Sequence, residues 1–378
     1  NDMYYDKKND AGDTGTANDR PRNRYRFRLR WGFDKDYGDD WKVGFRLATG
    51  STTNPNSENQ TLGNPGYFTE KTINVDRAYA MYEPNGLKDY GILKGLKIAA
   101  GKFDNPFLRY STIIVWDPDV MPEGAYEQAN WKIYGDEQNS FNIQTTLGQF
   151  ITNENAGAST DSEMYSYQNV FMLSTYAFNQ DKPTDVNFAV TYYDYPGYFN
   201  TVANNTVAVS FLRNNSTIAD NFRVVDLYPE LQFDVNGMPT TLFYNYVVNT
   251  ANVGTTNAQA GGNDIHDSNT AWGLGGKIGH AKKKGSWEAF YGYYNIGVNA
   301  VADAFDDDDF GGPGYNGFSN RKGHKFGFSY MMTDSLALNW TAYVVAPLHP
   351  IASSSVLGLG SASNESIFRS YLDLMYKF

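Results

Sequence analysis

In the stretch Arg24-Tyr-Arg-Phe-Arg-Leu-Arg-Trp31 every odd position is apolar and every even position is an arginine. Side chains of an extended strand alternate between its two faces, so this segment has one guanidinium face and one hydrophobic face. A helical period of 3.6 residues would not sort the two classes apart. Whatever the chain folds into must wet one face and shield the other.

The same rhythm recurs to the end of the chain. After the turn Asp34–Asp40 comes Trp41-Lys-Val-Gly-Phe-Arg-Leu47, and further alternating segments centre on Arg77–Tyr82, Leu96–Phe103, Ala129–Tyr134, Phe141–Leu147, Tyr165–Phe178 and Val186–Tyr192. A later group covers Phe222–Phe233, Leu242–Val248, Trp272–Ile278, Trp287–Tyr293, His324–Tyr330, Leu336–Val344 and Phe368–Phe378, which makes fifteen readable strands. In the last of these, Leu372, Leu374, Tyr376 and the terminal Phe378 share one face. An aromatic final residue on an alternating strand is the ending that closes outer-membrane barrels. Segments of roughly 10 residues suit a strand that crosses a bilayer at about 45°.

The connections alternate as well. Short ones include Asp34–Asp40, Gly135–Asn139, Asn179–Thr184, Asn236–Gly237, Ala281–Gly285 and Thr333–Asp334. Long polar ones are Gly50–Thr72, Asp104–Glu123, Thr152–Ser162, Gly197–Asn221, Ala251–Asn269, Asn299–Arg321 and Pro347–Glu365. Short periplasmic turns and long extracellular loops mark a transmembrane barrel. The Arg24 strand runs into a short turn and so does the last strand, so an even-numbered barrel requires one ascending strand before Arg24. Met3–Lys8 is its expected remnant, with Asn9–Arg20 as its loop. The expectation is all-β: a single barrel over residues 1–378, antiparallel, up-and-down and sixteen-stranded, its first strand truncated or continuing upstream of Asn1. Asn1 is not an initiator Met and no signal peptide is visible, so the start reads as processed or truncated.

Mean hydropathy is −0.53, and no apolar run approaches the ~20 residues of a membrane helix. Interleaved faces average out in a spanning strand, so low hydropathy does not exclude this fold. A soluble β-sandwich also alternates. Against it stand the apolar face on every strand, the charged opposite face, and aromatics beside short turns (Trp31, Phe33, Trp41, Phe178, Trp287, Tyr330, Tyr376, Phe378). Cysteine is absent, which removes disulfides, thiolate metal sites and a Cys nucleophile. A net charge of −11 argues against a nucleic-acid partner.

Arg22, Arg24, Arg26, Arg28 and Arg30 share one strand face, and Lys42 and Arg46 lie on the polar face of the next strand. An arginine on the lipid face costs about 2–4 kcal/mol at midplane, so these cations must look into a lumen, and the lumen must hold water. They form a basic ladder along a pore. The third long loop carries Asp104, Asp117, Asp119 and Glu123 around the apolar Ile113-Ile-Val115, an odd composition for a loop in solvent. Folded inward as a constriction loop, it would set Asp117, Asp119 and Glu123 against the ladder and create a transverse field.

Four passages carry a resemblance: Arg22-Asn-Arg-Tyr-Arg-Phe-Arg-Leu-Arg30, Gly101-Lys-Phe-Asp-Asn-Pro-Phe107, Trp116-Asp-Pro-Asp-Val-Met-Pro-Glu-Gly-Ala125, and Asp309-Phe-Gly-Gly312 leading to Lys322-Gly-His324. With the terminal strand they span essentially the whole chain, which resembles sixteen-stranded bacterial outer-membrane porins of the putative-porin type. The resemblance implies passive diffusion of small hydrophilic solutes through a homotrimer set in outer-membrane lipid and lipopolysaccharide.

No catalytic residues and no metal ligands are assigned. His266, His280, His324 and His349 are scattered without a His-Glu-x-x-His pair, and Gly273, Gly275 and Gly279 sit on a strand with no helix following. The expected cofactor set is empty. The run Asp306–Asp309 could bind Ca²⁺ but lacks the spacing of an EF-hand, and it reads better as a solvated or lipopolysaccharide-bridging loop. Two other functions compete with a general diffusion channel: a solute-specific porin for sugars or anions, and an adhesin or envelope-tethering barrel suggested by Gly197–Asn221 and Asn299–Arg321.

Overall fold

A computed structural model describes residues 2–6, 22–52, 55–88, 90–107, 113–136, 138–154, 161–179, 181–196, 222–251, 268–297, 299–302, 304–311, 319–348 and 366–377. The strands are β1 (Asp2–Asp6), β2 (Arg22–Arg24), β3 (Arg26–Phe27), β4 (Arg30–Asp36), β5 (Trp41–Thr49), β6 (Gln60–Thr61), β7 (Ile73–Tyr82), β8 (Leu93–Lys102), β9 (Glu123–Gly135) and β10 (Asn139–Asn153). They continue as β11 (Ser162–Thr175), β12 (Thr184–Tyr195), β13 (Phe222–Val235), β14 (Met238–Asn249), β15 (Thr270–Gly279), β16 (Trp287–Ile296), β17 (Arg321–Met331), β18 (Leu336–Pro347) and β19 (Ile367–Tyr376). A short helix, α1 (Asp308–Gly311), lies between β16 and β17. No helix among the described residues is long and apolar enough to cross a membrane.

All pairing is antiparallel between chain neighbours, from β4 through β5, β7 and β8 round to β19. β1 pairs through five residues with β19 and through three with β2. β6 belongs to a loop, and β2, β3 and β4 are pieces of one passage, which leaves sixteen staves. The strand expected at Met3–Lys8 is thus β1, with Lys7 and Lys8 outside the described residues. The Asn236–Gly237 hairpin has positive φ at both turn residues, 52° and 85°, as a type I′ turn needs.

The arginine-rich passage departs from the expectation of one continuous strand. The loop after β5 returns as β6 and takes Arg26 and Phe27 as partners for Thr61 and Gln60. Two residues after Phe27, the Leu29 carbonyl accepts from Thr49 N–H at 3.0 Å. Between these two pairings the chain leaves the ladder, and Asn56 and Glu58 are buried.

Exposed hydrophobic side chains follow the outward parity, as in Tyr25, Phe27, Leu29, Trp31 and Phe33 on the arginine passage. On the last strand Leu372, Leu374 and Tyr376 are outward and sit opposite Trp340, Leu338 and Leu336 of β18. Phe378, expected to finish that row, lies outside the described residues. Aromatic pairs mark the short-turn end, including Trp41 with Tyr82 at 5.1 Å and Trp287 with Phe328 at 6.3 Å.

The inside is not uniformly wet. The described part of the third loop after residue 112 folds inward as expected, with Ile113, Ile114, Val115, Trp116, Val120 and Met121 all buried. Phe107 meets Phe150 of β10 and Tyr193 of β12 edge-on at 6.1 and 5.6 Å, and Phe103 meets Tyr126 of β9 at 4.9 Å. These rings stand on the inner faces of the wall, so apolar burial seats this side of the loop. The buried side chains of the loop and of these inner faces form one packed cluster.

Candidate functional site

The alternation that turns Tyr25, Phe27, Leu29 and Trp31 outward turns Arg24, Arg26, Arg28 and Arg30 inward. Arg28 Nη1 and Arg30 Nη2 both donate to Asp119 Oδ1 at 2.9 Å. Arg30 Nε also donates to Glu58, and Arg28 Nη1 lies 3.9 Å from the same carboxylate. The two guanidinium side chains keep 34% and 37% of their surface accessible, while Asp119 and Glu58 keep 8% and 7%. Water reaches this contact from the cationic side.

The row continues along the neighbouring strands. Arg46 of β5 is bonded to Asp76 of β7 and lies 3.8 Å from both Glu58 and Asp104. Arg77 is bonded to Asp104 at the root of the third loop and lies 3.6 Å from Asp34, which also accepts from the Tyr79 hydroxyl at 2.8 Å. Cations and carboxylates therefore meet in contact along this row. Asp119 is aimed by its own turn: its N–H donates to Asp117 Oδ1 at 2.7 Å, and Val120 N–H to the Asp117 carbonyl at 3.2 Å.

Not every expected residue joins this row. Arg26 lies over the Tyr371 ring at 4.9 Å, and Arg24 is half-buried. Arg22 begins β2, so the passage places it on the strand next to β1. Lys42 stands at the opposite end of β5 from the constriction, paired with Glu83, which also holds Lys97 at 3.3 Å. Glu123 pairs with Lys102 at 2.7 Å on the loop's root. Asp117 turns away from the ladder, so of the three loop acids only Asp119 meets it. Glu58, Asp76 and Arg77 were not singled out as site residues by the sequence.

Asp117 faces a second inward segment instead. Its carboxylate and those of Asp307 and Asp308 offer oxygens that all lie within 4.8 Å of one another, a spacing that one divalent cation could bridge. Burial, and then the charges of Asp307, Asp308 and Asp119, push the Asp117 carboxyl well above the usual range. Burial, then Asp309, does the same to Asp308. Asp309 goes the other way: burial opposes its charge, but Arg369 and the Tyr371 hydroxyl outweigh burial and hold its carboxyl below the usual range. The acidic run is therefore split, with part of it bound to cations of the wall and part clustered with Asp117.

The sequence matches the family described as "Putative porin" over residues 4–217 and 200–346. No curated protein matches the chain. Among solved structures, a high-pH structure of Pseudomonas putida OprB matches 100% of this chain and 92% of its own, at 12% identity and a TM-score of 0.56, which is a likeness of fold. A Salmonella typhi OmpF complex with daunomycin matches over 98% of this chain and 95% of its own, at 10% identity and a TM-score of 0.44.

Proposed function

The chain belongs to the putative-porin family, and from that premise we propose that solutes cross its outer-membrane barrel past Arg28, Arg30 and Arg46, with Asp119 and Glu58 as the facing acids. The protein is an outer-membrane porin, a water-filled channel for passive diffusion of small hydrophilic solutes and ions. The carrying observation is the single Asp119 oxygen shared by two arginines whose other sides remain wet. Fixed charges of opposite sign a few ångströms apart make a steep local field. A hydrated or dipolar solute can exchange water for these groups, and an apolar one cannot. Lys42 supports a second, outlying charge at the short-turn end.

One observation favours a solute-specific version of this channel. The inner wall opposite the arginines carries amide side chains toward its short-turn end, such as Gln144 bonded to Asn130 at 2.9 Å and Asn187, which donates to the Glu230 carboxylate at 3.3 Å. An amide wall facing a guanidinium row suits hydroxylated solutes. In this reading the outward apolar belt contacts lipid and lipopolysaccharide, and three copies assemble. The reading needs no cofactor.

Planar-bilayer recording of the purified protein tests it. Ohmic conductance is expected, and saturable block by sugars would select the specific version. Absence of conductance from correctly inserted protein would leave the adhesin or tether reading in its place.

A further inference from the structure

We infer that the segment between β16 and β17, residues 299–302 and 304–311, is a second constriction element that sets the channel's size limit together with the third loop. The inference rests on the channel reading above and names a determinant of its permeability.

The segment does not stand above the barrel. Phe310 packs 5.6 Å from the inward Tyr294 of β16 and 6.4 Å from the inward Tyr343 of β18. Phe305 stacks 5.9 Å from Tyr195 on the inner face of β12, across the lumen from β19. Ala300, Val301 and Ala302 are buried with them. A loop exposed to solvent would have no reason to sequester this much apolar surface. The wall positions it meets are the ones that alternation turns inward, so it fills the part of the bore between β12 and β19.

Polar contacts fasten it at both ends. Asp309 is held by Arg369 at 3.1 Å and by the Tyr371 hydroxyl at 2.6 Å, both on β19. At its other edge it grips the third loop: Asp117 N–H donates to the Phe305 carbonyl at 2.6 Å, and the Trp116 and Phe305 rings are 5.4 Å apart. Asn56 Nδ2, from the inward chain after β5, donates to the Asp306 carbonyl at 2.8 Å. Three inward segments thus brace one another, and the open path is left beside the arginine passage. Had the third loop alone narrowed the bore, the sector under β16 to β19 would be free.

The test uses the full chain, refolded or purified in detergent, with 304–310 replaced by a short Gly-Ser linker. Single-channel conductance should rise at least twofold, and liposome swelling should admit sugars one or two residues longer than the wild-type limit. An unchanged conductance and size limit in a variant that keeps wild-type β content would overturn the inference. A second variant, Phe305→Ala with Asp309→Asn, leaves the backbone intact and removes the ring contacts to Trp116 and Tyr195 and the ion pair to Arg369. It should add a higher-conductance substate, and a steady wild-type level would count against the proposal even if the linker variant fails to fold. If the wild type itself does not conduct, the channel reading fails first, which separates the two ideas.

Discussion

Gly101 and Gly124 face each other across the β8–β9 ladder, both with positive φ, 125° and 150°, at the two roots of the third loop. A side chain rarely adopts these angles. Space is short as well: a Cβ would lie 2.3 Å from the Ala78 carbonyl oxygen at Gly101 and 2.2 Å from the Gln149 carbonyl oxygen at Gly124. The paired glycines let both strands bend at one level and send the loop into the bore. Gly124→Ala should therefore cost about 1–3 kcal/mol, read as an earlier urea midpoint. It should also make the open level noisier as the loop loses its seat. Wild-type stability and quiet traces from this variant would show that the bend does not need glycine.

Arg28 and Asp119 give opposite signs to the same measurement. Two unit charges about 4 Å apart in a wet site interact by about 1 kcal/mol, about fivefold in a permeability ratio. Arg28→Gln should shift the reversal potential in a salt gradient toward cation preference, and Asp119→Asn toward anion preference. The double variant should return close to wild type, because the two residues are bonded. Shifts of the same sign from both single variants would remove the pair from the conduction path.

Acid and base should act differently on the contact between Asp117 and the segment 304–311. The Asp117, Asp307 and Asp308 carboxyls are raised in the folded protein by burial first; the charges of Asp307 and Asp308 then raise Asp117, and that of Asp309 raises Asp307 and Asp308, with Lys325 and Arg369 opposing at Asp307 and Arg369 at Asp308. A carboxyl raised above its unfolded value of about 4 favours the closed contact fully below that value. The advantage is lost as pH rises through the folded value. Conductance and its noise should therefore increase as pH is raised from about 4 to 9, and Asp117→Asn should flatten the profile. Lys325 faces Asp307 and Arg369 pairs with Asp309, so the same acids also meet cations of the wall. An opening that grows toward low pH would reverse the assigned sign.

The wall was legible because its signal is periodic. A strand's two faces are written at alternate positions, so the passage 22–36 declared its inward arginines and outward aromatics without any knowledge of neighbours. Short turns against long loops then fixed direction and number. Loops have no period, and there the reading thinned. Asp117 and Asp119 are two residues apart in an irregular turn, and nothing in their spacing says that one meets Arg28 and the other Asp308. Glu58 sits in a loop whose return as β6 depends on pairing with Arg26 and Phe27, a long-range event. In the segment after β16, Phe305 and Phe310 bracket Asp306–Asp309. The acids suggested solvent, while the aromatics carried the burial.

Leu372 and Asp373 on the last strand test the assignment of faces on which the rest depends. Leu372 projects outward with half its surface exposed, beside Trp340 of β18, whereas Asp373 lies on the opposite face. If the outward surface meets hydrocarbon, Leu372→Arg should destabilise the inserted barrel by about 2–4 kcal/mol near midplane, less toward the interface. The same substitution on a surface in water would change stability by about half a kcal/mol or less. Asp373→Asn, which leaves the outer face untouched, should fold and insert like the wild type. The measurement is urea-dependent folding into lipid vesicles, followed by tryptophan fluorescence. Equal behaviour of the two variants would mean that Leu372 does not touch lipid, and the inward placement of Arg28 and Arg30, set by the same alternation, would fall with it.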